Sequence, residues 1–315
     1  MARAMGARTQ MAFAYESVYG TAPASGFTKL SMAESKLASA QPLIDSELLG
    51  FGRDPLAPIK DAITADGDIT IPLDVDGIGY WLKAIFGAPV TTGTTPKVHT
   101  FQSGGWALPS MSIEVGFPDI PTFKMFSGVR VNDFKFNMQR TGNLQATVGL
   151  IAQGETPNVA SQAGTLGTLA NLTRFGQFNG AIKRNGAALG NIVSGDVTYS
   201  NNLDRVETIR ADGKIDGADP GMASMKGALV ARFADTTLIT DAQNGTPCEL
   251  EFSWVISASQ SLKITVHAVY LPVPRIEIPG PGGIQATYDW QAAQSAAVTP
   301  ARMATIVLTN AVAGY

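Results

Sequence analysis

Residues 67–87 constrain the fold more than any other stretch of this 315-residue chain. Ile69, Ile71 and Leu73 alternate with Asp68, Thr70 and Pro72, the two-residue period of a strand with one buried face. Pro72 cannot donate to a ladder, so the strand lies at an edge or ends near that point. Asp74 or Asp76 can cap the helix that follows, and both negative charges favour the positive end of its dipole. Ile78, Trp81, Leu82 and Ile85 form one apolar helical face, and Gly87 with Pro89 stops the helix. The segment predicts a strand feeding a short helix that packs back on the sheet.

Composition agrees with a strand-rich chain. Only 16% of residues are charged, while Gly (33) and Pro (18) are plentiful. Low charge with many turn formers fits a β protein whose surface is partly covered by neighbours. The length allows one large or two medium domains. A net charge of −3 argues against a surface that grips a nucleic-acid backbone, which needs a basic patch. Cys248 is the single cysteine, so an intrachain disulfide or a thiolate metal cluster is excluded. No apolar signal segment follows Arg3 and Arg8, and no apolar run is long enough to span a bilayer. A soluble chain made in the cytoplasm, with no membrane partner, is the expectation.

Residues 1–30 are rich in small side chains, with Phe13, Tyr15 and Tyr19 between them. They read either as an arm that gains its partners on assembly or as an edge strand with a loop. Residues 27–37 alternate weakly, Gly50, Gly52 and Pro55 mark turns, and the Thr-, Gly- and Pro-rich run 87–103 reads as an exposed loop. Met111, Ile113 and Val115 predict a strand with one buried face, and 117–123 a proline-interrupted apolar loop. Residues 129–136 and 144–150 predict a hairpin around Thr141-Gly142-Asn143. The run 154–171, poor in large side chains, is placed as an inter-domain linker.

Beyond the linker, Asn185-Gly186 is a hairpin turn, and 196–199, 228–233, 250–256, 262–270 and 303–308 are strand-like. Residues 210–220 form a Gly- and Asp-rich loop. Asp235 leads a short helix over 236–244 that Gly245 stops. Strand-like 276–278 and 284–290 flank the turn Pro279-Gly280-Pro281-Gly282-Gly283.

The layout repeats. Strand, aspartate, short helix and Gly-x-Pro recur in one order, with Asp74 matched by Asp235 and Gly87 by Gly245. Leu144-Gln145-Ala146-Thr147 meets Ile284-Gln285-Ala286-Thr287, and Asp54-Pro55 meets Asp219-Pro220. The matching requires about twenty extra residues in the first copy, which 99–121 could supply. Two related β domains, 1–170 and 171–315, are expected, each with a flanking helix.

Catalytic chemistry has little to stand on. His99 and His267 are the only histidines, and His267 lies within a strand pattern. Phosphate-loop and nucleophile-elbow motifs are absent, and Gly280-Pro281-Gly282-Gly283 reads as a turn. Cys248 opens a strand-like alternation and reads as a buried structural thiol. The pairs Asp66 with Asp68, Asp74 with Asp76, and Glu249 with Glu251 fit calcium or acid–base work, but helix caps and solvated faces explain them more simply. Asn171-Leu172-Thr173 is a glycosylation sequon by pattern alone. No catalytic, metal or cofactor-binding residue is assigned, no cofactor is expected, and the chain is read as no enzyme.

Residues 67–87, then Thr91-Thr92-Gly93-Thr94-Thr95-Pro96-Lys97-Val98-His99-Thr100-Phe101 and Leu108-Pro109-Ser110-Met111-Ser112-Ile113-Glu114, resemble major tail tube proteins of long-tailed (siphovirus-type) bacteriophages. The likeness covers 1–155 closely and continues more loosely through Val193-Ser194-Gly195-Asp196-Val197-Thr198. It implies a mainly β fold of two tandem sandwich or partial-barrel domains. It also implies sheets that join between subunits into rings, and rings that stack as a tube for DNA ejection. Single-domain members form hexamers, while two-domain members form trimers with pseudo-sixfold symmetry, so the repeat favours the trimer. The implied partners are the chain itself, the tape-measure protein, the tail terminator and distal tail proteins. Duplex DNA would pass the lumen unbound, and mild acidity suits such a wall. The implied location is the virion tail, after synthesis and assembly in the host bacterial cytoplasm. The competing reading is a carbohydrate- or receptor-binding β-sandwich of a phage tail or adhesin, with Trp106, Trp254 and Trp290 as an aromatic platform; a carboxylate hydrolase is remote.

Overall fold

A computed structural model describes residues 3–169, 171–278 and 280–315. Among the described residues strands account for 47%, against two α-helices, so the protein is mainly β. In the first half the strands are β1 (Gln10–Tyr15), β2 (Thr28–Leu30), β3 (Glu34–Ser35), β4 (Ala38–Ala40), β5 (Leu43–Ile44), β6 (Ile59–Lys60) and β7 (Thr64–Pro72). Helix α1 (Ile78–Phe86) follows, then β8 (Val90–Thr92), β9 (Lys97–Gln102), β10 (Met111–Phe117), β11 (Thr122–Gln139), β12 (Gln145–Ile151) and β13 (Gly154–Asn158). The second half holds β14 (Gly180–Arg184), β15 (Ala187–Ala188), β16 (Ile192–Ser200), β17 (Asp204–Val206), β18 (Gly217–Asp219) and β19 (Ser224–Arg232). Helix α2 (Thr237–Asn244) precedes β20 (Cys248–Ser257), β21 (Gln260–Tyr270), β22 (Gln285–Ala292) and β23 (Ala304–Asn310). Nineteen strands share one antiparallel sheet, and β5–β6 and β17–β18 are separate ribbons.

Pairing runs in one order through each half. β7 pairs with β12 (Ile69 opposite Val148), β12 with the C-terminal part of β11 (Val148 opposite Phe134), and the N-terminal part of β11 with β10 (Phe126 opposite Ile113). β10 then pairs with β1 (Ile113 opposite Phe13). Correspondingly, β19 pairs with β22 (Leu229 opposite Tyr288), and β22 with the end of β21 (Gln291 opposite Tyr270). β21 continues the series to β20 (Val266 opposite Leu250), and β20 to β14 (Leu250 opposite Arg184). β3 and β4 flank β7 as β16 flanks β19, and β13 flanks β11 as β23 flanks β21. Bulges fall between Met111 and Ile113 and between Cys248 and Leu250.

Two ladders cross between the halves. One joins β11 to β16, from Asp133 opposite Ser200 to Gln139 opposite Ser194. The other joins β9 to β23, with His99 opposite Leu308. One apolar core runs through both halves, and Phe136 meets Trp254 edge-on at 5.4 Å between ring centroids. A satellite cluster of Ala12, Ala14, Phe27, Met125 and Ala163 lies under β1.

Several local expectations change. β1 is paired on both sides, by β10 and β2, so these residues form neither a free arm nor an edge. Its Met11-Ala12-Phe13-Ala14 run is buried on both faces, which removes the polar alternation that marks a half-exposed strand. Residues 87–103 contain the hairpin β8–β9 instead of a loop, because His99 and Phe101 point inward while the Thr-rich face stays partly wet. The connection from α1 to β10, residues 87–110, is far longer than that from α2 to β20, and it overlaps 99–121 only at 99–110, since β10 turns tightly into β11. β10 is buried on both faces: Ser112 donates to Glu16, and Glu114 accepts from Ser161 and the Gln162 amide. The run 154–171 is partly sheet, as β13. Residues 271–278 are not in a strand, and Pro279 of the expected turn lies outside the described residues.

Two glycines let neighbouring strands approach. A Cβ at Gly67 would collide with the Lys36 carbonyl, and one at Gly227 with the Asp196 carbonyl. Gly67 also has φ +141, where a side chain is strained. Gly67→Ala and Gly227→Ala should each destabilise the fold by about 2 kcal/mol or more. Denaturant unfolding checks this, and an unchanged midpoint would contradict it.

Candidate assembly surfaces

The strand-to-helix corner is a buried polar node. Pro72 ends β7, as its missing donor requires, and Ile69, Ile71 and Leu73 are buried. Asp74 accepts from the amide of Gly77, the residue just ahead of α1, and so braces the turn into the helix, which has no side-chain cap of its own. Asp76 instead accepts from the Asn171 amide at 2.8 Å. Ile78, Trp81, Leu82 and Ile85 are buried, and Gly87, with φ +87, closes the helix by donating to the Lys83 carbonyl.

The last residues seal this corner. Asn310 Nδ2 donates to the Val75 carbonyl at 2.7 Å, and its Oδ1 lies 3.1 Å from His99 Nε2. The Tyr315 hydroxyl donates to the Asp76 carbonyl at 2.8 Å, and its ring covers Gly79, where no Cβ would fit. Thr91 lies 2.8 Å from His99 Nδ1. His99, fully buried, is thus a structural link, and burial lowers its affinity for a proton.

Side chains capable of acid–base chemistry sit in structural pairs. His267 lies between Glu249 (3.3 Å) and Thr305 (2.8 Å) in the sheet. Glu251 pairs with Lys183 at 3.0 Å, and Asp66 with Arg205. Cys248 is buried, and its thiol is pushed up to about 11 by that burial, so it is a poor nucleophile. Among the described residues no three His, Cys, Asp or Glu side chains are grouped to hold a metal. Trp254 and Trp290 are core residues, which leaves exposed Trp106 without the other two members of an aromatic platform.

What the surface offers is unpaired backbone and apolar side chains. Among the described residues, β3 and β4 are bonded to β7 on one edge only. Among the described residues, the edge of β22 opposite β19 is paired only at Gln291 and Ala292. The β5–β6 ribbon and its loop hold Leu43, Leu48, Leu49, Phe51 and Ile59 in solvent, with Leu49 92% exposed. The sequence signal for this patch was Leu48-Leu49-Gly50-Phe51-Gly52, large apolar residues among turn formers. Exposed apolar groups on a ribbon, beside open strand edges, mark sites of association.

Open edges, an apolar ribbon and ion pairs committed to structure define a β protein built for assembly. Residues 6–292 match the family described as phage tail tube protein, and the chain belongs to that family. No curated protein matches it. It is a structural, non-enzymatic component of the phage virion tail, and its family implies self-polymerisation.

Asp74 supplies a pH prediction. Burial, with the charge of Asp76, raises its carboxyl to about 6, although backbone amides at Gly77, Ile78 and Asp76 oppose the shift. The native state therefore holds this proton more tightly than the unfolded chain. Its stabilising contribution is complete below the unfolded value of 3.8 and is lost as pH rises through about 6. The loss amounts to about 3 kcal/mol between those limits. Asp74→Asn should remove that slope in unfolding measured from pH 4 to 7; an unaltered slope would contradict the assignment.

Proposed function

We propose that the chain is the tube subunit of a long-tailed, siphovirus-type tail and contributes two tail-tube-like units, 1–170 and 171–315, to one ring. Three chains then close a ring with pseudo-sixfold symmetry, and a hexamer is the alternative. The observation that carries this reading is the shared pairing order and register of the halves. Ser35 stands opposite Ile69 as Gly195 stands opposite Leu229, and Gln145 opposite Pro72 as Gln285 opposite Arg232. The Gln-Ala-Thr repeat thus occupies the same ladder position in both units.

Each unit corresponds to one sandwich or partial barrel of the family architecture, and ring closure would cover strand edges that are a liability in a monomer. Head-to-tail contacts of this kind close by rotation. Stacked rings would surround the tape-measure protein and later pass duplex DNA without binding it, along a wall where acids outnumber bases. The net charge of −3 supports that wall. The tail terminator and distal tail proteins would meet the two ends of the tube. The β5–β6 ribbon is the contact to the next ring, since its apolar tip has no cover among the described residues.

Native mass spectrometry of purified rings tests the stoichiometry: three chains per ring are expected, and six would contradict the two-unit wall. Leu49→Ser with Phe51→Ser should leave rings intact but stop their growth into tubes under negative-stain microscopy. Tubes of normal length would remove the ribbon from the stacking contact.

A further inference from the structure

The second half lacks one ladder that the first half has. In β11, the part after Val131 lies between β12 and β16, with Phe136 opposite Val197, Asn137 opposite Asp196 and Met138 opposite Gly195. β21 stops at Tyr270, which faces Gln291 as Arg130 faces Ile151. Residues 271–278, which continue β21 where β11 continues past Arg130, have no ladder on either side. From Val129 to Thr147 and from Val269 to Thr287 the two halves correspond without insertion. Phe136 therefore corresponds to Ile276, Asn137 to Glu277 and Met138 to Ile278.

The missing neighbour has a counterpart too. β16 flanks β19 as β3 and β4 flank β7, so Val197 corresponds to Leu37, Asp196 to Lys36 and Gly195 to Ser35. The matched carbonyls of Lys36 and Asp196, each against a strand glycine, fix this register independently. The edge of β3 and β4 away from β7 has no strand partner among the described residues.

We propose that residues 273–278 of one chain pair antiparallel with residues 35–40 of a second copy, repeating between chains the β11–β16 ladder within one chain. This rests on the two-unit reading above. Ile276 then faces Leu37, Glu277 faces Lys36 and Ile278 faces Ser35 of the neighbour. Three features favour this occupant. Glu277 and Lys36 are both exposed and carry opposite charges at directly opposed positions. Ile278, 75% exposed, would enter an apolar groove lined by Met11, Leu30, Met32 and Leu37. Met138 already occupies the corresponding place within the chain, beside Ile182, Ile192 and Ser194. Pro274, at the place where Phe134 turns its amide towards β16, has no donor for Ser39, so at this pair the joint keeps only the bond from the Ser39 amide to the Pro274 carbonyl, and the full ladder runs through Ile276 and Ile278.

The test is oxidative cross-linking of the assembled full chain. Opposed residues bring Cβ atoms to about 4.5–5.5 Å, near the reach of a disulfide. Lys36→Cys with Glu277→Cys should give a chain-to-chain ladder on non-reducing gels. Either single variant, or Glu277→Cys with Ala40→Cys, should not; buried Cys248 is common to all. Both substituted positions are exposed, so folding is retained. In parallel, Glu277→Lys and Lys36→Glu should each raise the concentration needed for assembly by about fivefold, and together restore it. Rings that form without the 36–277 link, or that link equally through 40–277, would overturn the joint while leaving ring assembly standing. Failure of the unsubstituted chain to form rings would overturn both.

Discussion

The ladder between β11 and β16 is the interaction on which the rest depends. It runs from Asp133 to Gln139 and turns two halves with similar pairing into one sheet. Backbone amides and carbonyls removed from water must be paired, so this ladder and β9–β23 tie the halves more firmly than side-chain contacts could. Asn201 reinforces the same joint by donating to the carbonyls of Ile85 and Val131 at 3.1 and 2.9 Å. Helix α1, β11 and the second half thus meet at one buried amide. Under the proposed two-unit reading, a single such ladder inside each chain leaves one unmatched at each end, which gives the chain a directed tendency to associate.

The polar corner around Asp74, Asp76, His99, Asn310 and Tyr315 has a different task. It joins the start of α1 to the end of the chain through hydrogen bonds in a dry site, where each lost partner would leave another group unsatisfied. Aromatic contacts reinforce it: Tyr80 and Tyr315 meet edge-on at 4.9 Å, and Phe13 and Tyr80 at 5.0 Å. The strand-to-helix unit is therefore held in place from both halves. That rigidity suits a wall segment whose edges must present fixed registers to a neighbour.

Much of the fold was legible in the sequence wherever one face of a strand is wet. Ile69, Ile71 and Leu73, the Asn185-Gly186 turn, Asp235 with its short helix, and the hairpin around Gly142 follow from local chemistry. Strands buried on both faces were harder, because Ser112 and Glu114 in β10 are satisfied by partners far along the chain. β8 and β9 escaped notice because their exposed threonines resemble a loop. The assembly edges were least visible. Ile276-Glu277-Ile278 has the alternation of a strand, yet it has no ladder in the single chain. Its meaning emerges only when its register is set beside Phe136-Asn137-Met138.

Amide hydrogen exchange, compared between monomer and assembled tube, tests this account most directly. Residues 35–40 and 273–278 should exchange fast in the monomer and become protected together in the tube. The amides of β11 and β16 should be protected in both states. Protection that appears elsewhere while these two segments remain fast would contradict the account.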